Sequence, residues 1–131
     1  MTTARETDRR RFAAAVAEAA EVVAAVLGAY QSRGNEPYPI AAVLPTLAEQ
    51  HQVLQELVYE CEGPLTLDAA GKEDPFIGDL AALMSYLQLL RVLYHGFDVI
   101  PGVLQVNASR NIAAVHLAGR RVRDRARRQA K

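Results

Sequence analysis

The chain has 131 residues, half of them hydrophobic, and its formal net charge is zero. This length and composition fit one folded domain spanning residues 1–131. A zero net charge excludes a strong overall attraction to nucleic acid or membranes, and the single cysteine, Cys61, excludes an intrachain disulfide. The longest uncharged run, Pro37–Ala48, has twelve residues, whereas a membrane-spanning helix needs about 20. We therefore expect a cytoplasmic protein with no membrane contact.

Charge is distributed unevenly along the chain. Residues 1–33 carry a net charge of +1, residues 34–100 carry −8, and residues 101–131 carry +7. Such asymmetry indicates either an anionic partner for the basic end or electrostatic pairing within the fold or between subunits.

The first predicted helix runs from Thr7 to Arg33 and ends before Gly34. Its apolar residues recur in steps of four and three, which is the spacing of a helix that buries one face. This seam consists of Phe12, Val16, Ala19, Val23, Val26 and Tyr30. A flanking stripe of small residues predicts that another helix approaches closely. The stripe consists of Ala13, Ala17, Ala20 and Ala24.

The second helical segment lies between Pro37 and Glu62 and has the same four-three spacing. Pro45 interrupts the pattern, because an interior proline removes one backbone hydrogen bond and clashes with the preceding turn. We expect a short helical turn over 38–43 and then the main helix from Pro45 or Thr46, with one kinked helix as the alternative. The seam is Ile40, Leu44, Leu47, His51, Leu54, Val58 and Cys61.

The connection Gly63–Asp74 is long for a compact bundle, so it is either a loop or contains a short extra helix. The third helix then starts at Pro75, with Asp74 as its N-cap. Its main seam is Phe76, Leu80, Leu83, Leu87, Leu90 and Tyr94.

A second apolar stripe follows the third helix beside its main seam. A helix with two apolar stripes is either central in the bundle or part of an oligomer interface. We predict the second case, a homo-oligomer with a dimer as the first expectation, since two-fold dimers are the commonest assemblies. The predicted interface residues are Tyr86, Leu89 and Leu93, which continue from Ala82.

Gly96 and Pro101 bracket the next turn, and the fourth helix begins between Gly102 and Ser109. The short connections between the first and second helices and between the third and fourth helices make each of these pairs antiparallel. The twelve-residue connection between the second and third helices is long enough to cross over, but the simpler prediction is an all-α four-helix bundle with up-down-up-down topology. In this topology the first and last residues lie at the same end, where Arg9, Arg10 and Arg11 join the basic C-terminus. The seam of the fourth helix is Ala108, Ile112, Val115, Gly119, Val122 and Ala126.

The helix end at 119–131 is rich in arginine. Arginines flank the seam on both sides, and only Asp124 offsets them. Such stripes can contact phosphates, although cations also stabilise a helix C-terminus and terminal charge runs are commonly solvated. One side carries Arg120, Arg123 and Arg127, and the other carries Arg121, Arg125 and Arg128.

A second motif is the run Arg110–His116. An arginine followed by a polar residue, with a histidine six positions later, resembles the motif of the HEPN ribonuclease domains, which are small all-α bundles. The resemblance covers seven residues and lacks the tyrosine that often follows the histidine, since Ala118 stands there. It implies metal-independent RNA cleavage at a dimer interface, with Arg110 on phosphate and His116 in acid–base catalysis.

The sequence shows no sign of a metal site or a cofactor site. The paired Glu-x-x-His motifs of di-metal bundles are missing, and Cys61 has no second cysteine or nearby histidine in the sequence to make a zinc pattern. We favour a small non-enzymatic regulatory module that binds nucleic acid or an acidic protein through the arginine-rich end. The alternatives are a HEPN-like ribonuclease and an oligomeric protein–protein adaptor with no nucleic-acid role.

Overall fold

A computed structural model describes residues 4–32, 40–60 and 75–131, with the side chains of the first helix described from Thr7 onward. The described residues form four α-helices: α1 (Ala4–Gln31), α2 (Ile40–Glu60), α3 (Pro75–Tyr94) and α4 (Gln105–Gln129). A 3₁₀ turn, Gly102–Leu104, leads into α4. The predicted all-α four-helix bundle is confirmed.

The helices form where the four-three seams predict them, and the seams meet in one core. Every residue of the main α3 seam and of the α4 seam is buried. In α1 both the seam and the alanine stripe are buried, apart from Val26, which is partly buried against the core. The cost of exposing these aliphatic side chains to water, about 25 cal/mol per Å², drives the assembly.

Neighbouring helices run antiparallel around the bundle. Side chains near residues 21 and 28 of α1 meet residues 123 and 116 of α4, and residues 79 and 94 of α3 meet residues 125 and 111 of α4. The start of α2 lies at the end of α3, where the Ala41 amide donates to the Asp98 carbonyl at 3.2 Å. Each helix packs mainly on two neighbours, so α2 and α4 lie on opposite sides of the bundle.

Small residues bring α1 and α4 close together. A Cβ added to Gly119 would lie 3.3 Å from the Cγ1 of Val23 and 3.8 Å from the carbonyl oxygen of Ala20. The alanine stripe of α1 thus receives another helix, as the sequence predicts. Farther along the same helix pair, the His116 ring lies over Gly28 of α1. Its Nε2 is 3.3 Å from the position that a Cβ on Gly28 would occupy.

The expectation of separate helical pieces around Pro45 is wrong where the structure describes it, because α2 is continuous from Ile40 to Glu60 with Pro45 inside. Pro45 lies in the second turn of α2, so the carbonyl that loses its usual helical donor is that of Ala41. Solvent can reach this carbonyl, since Ala41 and Pro45 are both exposed. The favourable burial of Ile40 and Leu47, on either side of the proline, supports the continuous helix.

Some expectations fall on parts of the chain outside the described residues. These are the extra helix in 63–74, the Asp74 cap, Gly34 and Cys61. Two stretches, Thr7–Gln31 and Pro75–Tyr94, are long and apolar enough to cross a membrane by length and composition, a test that core helices of soluble bundles also pass. The absence of a membrane segment and the cytoplasmic location therefore stay predictions.

Candidate nucleic-acid interface on helix α4

The arginines of α4 divide into two groups according to their partners. Three of them make ion pairs with other helices. Arg123 and Arg127 both bind the carboxylate of Glu21 on α1, at 3.2 and 3.1 Å. Arg125 binds Asp79 on α3 at 2.7 Å. These contacts tie α4 to both of its neighbours, so the corresponding charges are partly neutralised within the fold.

Arg123 is the most enclosed of these arginines, with 20% of its side chain exposed. Its Nε donates to Asp124 at 3.0 Å, and its Nη1 donates to Glu21. The hydrogen bond to Asp124 and the pairing with Glu21 raise the pKa of Arg123. Asp124, the one acidic residue of the C-terminal segment, is therefore paired with Arg123 and not with the arginines that point to solvent.

The second group is exposed and has no carboxylate within ion-pair distance in the described part of the chain. It consists of Arg110, Arg120, Arg121 and Arg128. On a regular helix, positions 11 and 18 apart return to nearly the same face, so Arg110, Arg121 and Arg128 form one line opposite the seam. At 1.5 Å per residue this line is roughly 27 Å long.

The first helix adds cations at the same end of the bundle. Since α1 and α4 are antiparallel, the N-terminal turns of α1 lie beside the C-terminal turns of α4. Arg10 and Arg11 are exposed, whereas Arg9 is half-buried. Lys131 is also exposed. The single basic cap that the up-down-up-down topology predicts is therefore present. We call Arg10, Arg11, Arg110, Arg120, Arg121 and Arg128 the exposed arginine face.

The opposite side of the bundle has the opposite charge. The outer surface of α2 carries Glu49, Glu56 and Glu60, all exposed, and α2 contains no lysine or arginine. The fold thus separates acidic and basic surfaces onto diagonal helices, which gives the molecule a strong charge asymmetry despite its zero net charge.

The two residues of the HEPN-like motif do not converge within the chain. Because α4 is continuous through the motif, six residues turn the helix by roughly 240°. Arg110 points to solvent, whereas His116 is half-buried against Gly28 of α1. Asn111, the polar residue of the motif, donates to the Tyr94 hydroxyl at 3.0 Å and so links α4 to α3.

The ring of His116 lies in a basic surrounding. Burial, and then the charges of Arg120 and Arg123, lower the pKa of its imidazole. A neutral imidazole could accept a proton, but no carboxylate partner of this ring exists among the described residues. Nor do three His, Cys, Asp or Glu side chains gather into a metal-binding group anywhere in the described ranges.

The sequence matches no protein-family model, and no curated protein or solved structure is significantly similar to it. The function of the protein must therefore be inferred from the surface that the fold creates. Sequence reasoning found most of the exposed arginine face but placed Arg110 in a different site. The 11- and 18-residue spacing to Arg121 and Arg128 was the signal that could have placed it here.

Proposed function

We propose that this protein is a small non-enzymatic module that binds the phosphate backbone of nucleic acid through the exposed arginine face. The observation that carries the proposal is the separation of the α4 arginines into paired and unpaired sets. Arg110, Arg120, Arg121 and Arg128 have no intramolecular partner among the described residues. Guanidinium groups held on a rigid helix bind phosphate oxygens bidentately at a small conformational cost.

Two further features support a phosphate partner. The acidic α2 surface lies diagonal to α4, so electrostatic steering would present the arginine face to an approaching polyanion. No tryptophan occurs in the chain, and the C-terminal half of α4 carries no aromatic side chain, although Tyr86 of α3 lines a groove with Arg121. The surface thus suits contacts with the backbone better than stacking on bases, and predicts weak sequence specificity.

The test is fluorescence anisotropy with a short labelled RNA and a duplex DNA at about 50 and about 200 mM salt. We expect binding that weakens steeply with salt, because each neutralised phosphate contributes about 0.9 to the slope of log K against log salt for duplex DNA. Simultaneous Arg120→Gln, Arg121→Gln and Arg128→Gln substitutions should remove most of this binding. Absence of binding at the lower salt concentration would exclude the proposal and favour an acidic protein as partner.

A second observation favours self-association. The second stripe of α3 stays uncovered in the structure, with Tyr86 41% exposed and Leu89 and Leu93 each 44% exposed. Leu117 of α4, 46% exposed, lines the same shallow groove as Tyr86. Between Asp79 and Arg91, α3 contains no charged residue, so its outer stripe is apolar over several turns, although Asp79 and Arg121 also line the groove. We infer that a second copy of the chain covers it, giving a dimer.

This interface leaves most of the exposed arginine face free for nucleic acid. Arg121 borders the apolar groove, whereas Arg10 lies on α1 and Arg120 is turned from Arg121 by about 100°, toward α1. A dimer would therefore present two arginine faces to one polyanion, which increases the overall affinity without new contacts. If the chain dimerises but binds no nucleic acid, the protein–protein adaptor becomes the better description.

A further inference from the structure

A cleft of about 680 Å³ lies between the first half of α2 and the last turns of α3. Its volume is within the usual range of small-molecule sites, about 300–1,000 Å³. It is on the far side of the bundle from α4 and shares no residue with the exposed arginine face. None of the features that predict nucleic-acid binding accounts for it.

The α2 wall of the cleft is hydrocarbon. It consists of Ala41, Leu44, Pro45 and Ala48. Alanine and proline in steps of four and three make this helix surface shallow, which leaves room beside α3. Phe97, from the turn after α3, adds an aromatic side chain at one end. Such a wall can cover an aliphatic or aromatic body but cannot hold an ion.

The α3 wall supplies a cation. Arg91 and His95, one turn apart, both line the cleft. Arg91 is half-buried, and its Nη1 donates to Gln88 Oε1 at 3.3 Å. Neither side chain makes an ion pair with a described carboxylate, including that of Asp98, which lines the same cleft. Arg91 thus lies beside an apolar wall with no described carboxylate in direct contact.

The positive charge of Arg91 also acts on a nearby histidine. His51 of α2 is half-buried, and burial together with the positive charge of Arg91 lowers the pKa of its imidazole. The guanidinium of Arg91 therefore lies close enough to α2 to act on a side chain of that helix.

We propose that this cleft binds a small organic monocarboxylate, with its carboxylate on Arg91 and its hydrocarbon body on the α2 wall. A guanidinium and a carboxylate form paired, charge-assisted hydrogen bonds, and His95, one turn along α3, lines the same cleft. A lining with one guanidinium and the carboxylate of Asp98 suits a monoanion better than a dianionic phosphate. The size of the cleft suits a molecule of metabolite size.

The experiment uses octanoate and its neutral isostere octanamide as probes, titrated into the ¹⁵N-labelled full chain and followed by amide chemical shifts. Octanoate should shift amides in residues 41–48 and 88–98 and saturate, while octanamide should bind about tenfold more weakly, as expected for the loss of one charge-assisted interaction. The Arg91→Gln variant should abolish the preference for octanoate. The Arg110→Gln variant, which removes the same charge on α4, should keep it.

Several results would overturn the proposal. Equal affinities for octanoate and octanamide, or an unchanged preference in Arg91→Gln, would show that Arg91 does not bind the carboxylate. Saturable shifts confined to other regions, or no shifts, would exclude the cleft as a carboxylate site. Circular dichroism of both variants establishes that they are folded. The outcome is independent of nucleic-acid binding, because no residue is shared.

Discussion

The imidazole of His116 lies against Gly28, with Nε2 3.3 Å from the position that a Cβ on that glycine would occupy. This contact fixes the histidine between α4 and α1 and turns it away from Arg110. It also accounts for the glycine at position 28, in the last turn of α1, because a side chain there would crowd the histidine ring. The same close approach recurs at Gly119, so the α1–α4 contact depends on small residues on both helices.

The close packing between α1 and α4 predicts that alanine at Gly119 destabilises the protein, whereas alanine at the uncrowded Gly78 of α3 stabilises it. Gly119→Ala places a Cβ 3.3 Å from Val23 Cγ1, and Val23 is fully buried and rotationally restricted. Overpacking costs about 1–3 kcal/mol, which outweighs the gain in helix propensity of about 1 kcal/mol. We expect a net loss of about 1 kcal/mol in the free energy of unfolding, measured by urea denaturation.

Gly78→Ala is the matched control, since Gly78 lies in α3 with nothing within 4 Å of an added Cβ. This substitution should stabilise the protein by up to about 1 kcal/mol. If both alanine variants were stabilised equally, the close contact between α1 and α4 would be wrong.

The surroundings of His116 predict a loss of stability in mild acid. Burial and the charges of Arg120 and Arg123 lower its pKa in the folded state. The unfolded chain then binds a proton more readily, so stability is unaffected well above pH 6.5 and falls as the pH decreases through the ordinary pKa toward the folded one. His116→Asn should reduce this pH dependence in urea denaturation at pH 7.5 and 5.5 (about one unit on either side of the ordinary pKa). His51, whose pKa is also lowered, should contribute in the same direction.

An unchanged pH dependence in His116→Asn would contradict this assignment. The imidazole of His116 in the wild-type protein also reports on the proposed function. Phosphate bound near Arg120 would offset the positive field, so the pKa of His116 in the wild-type protein should rise when nucleic acid binds, as seen in its ring proton shifts.

The second stripe of α3 predicts a dimer that a single charge disrupts. Leu89→Glu buries a carboxylate in the proposed interface, which should convert the dimer to a monomer in sedimentation experiments while the helical content is retained. Val58→Glu is the control, because Val58 is similarly exposed, at 40%, on α2. A wild-type chain that sediments as a monomer at micromolar concentration would exclude the interface.

Because α4 is continuous between Arg110 and His116, we predict that the protein does not cleave RNA. Arg110 and His116 point to different sides of a continuous helix, and His116 is packed on Gly28. Prolonged incubation with labelled RNA should therefore give no time-dependent products on a denaturing gel. Cleavage by the wild-type protein that disappears in a folded His116→Ala variant would establish the ribonuclease alternative.

Most of the fold could be predicted from the sequence, because apolar residues in four-three steps define one buried face per helix. The six seam positions from Ala108 to Ala126 are all buried. The second stripe of α3 was predicted to lie at an oligomer interface, and Tyr86 and Leu89 are exposed in the single chain; that a second copy covers them stays a prediction. Continuity of α2 through Pro45 depends on burial at Ile40 and Leu47, which outweighs the local cost of proline.

Less of the candidate site could be predicted. The arginines of the C-terminal segment are evident in the sequence, but their partners are not. Glu21 is 102 residues away from Arg123 along the chain, and the distinction between paired and unpaired arginines exists only after α1 and α4 are packed. The cleft beside Arg91 had no motif to indicate it, because its walls come from two helices and a turn.

The most direct test of the account compares two double variants that remove the same charge from the same helix. Arg120→Gln with Arg121→Gln removes unpaired arginines, whereas Arg123→Gln with Arg127→Gln removes arginines that are bound to Glu21. If unpaired arginines contact phosphates, the first variant should lose about tenfold or more in affinity for duplex DNA at low salt, with a shallower salt dependence. The second should lose clearly less, and equal losses in the two variants would contradict the central claim.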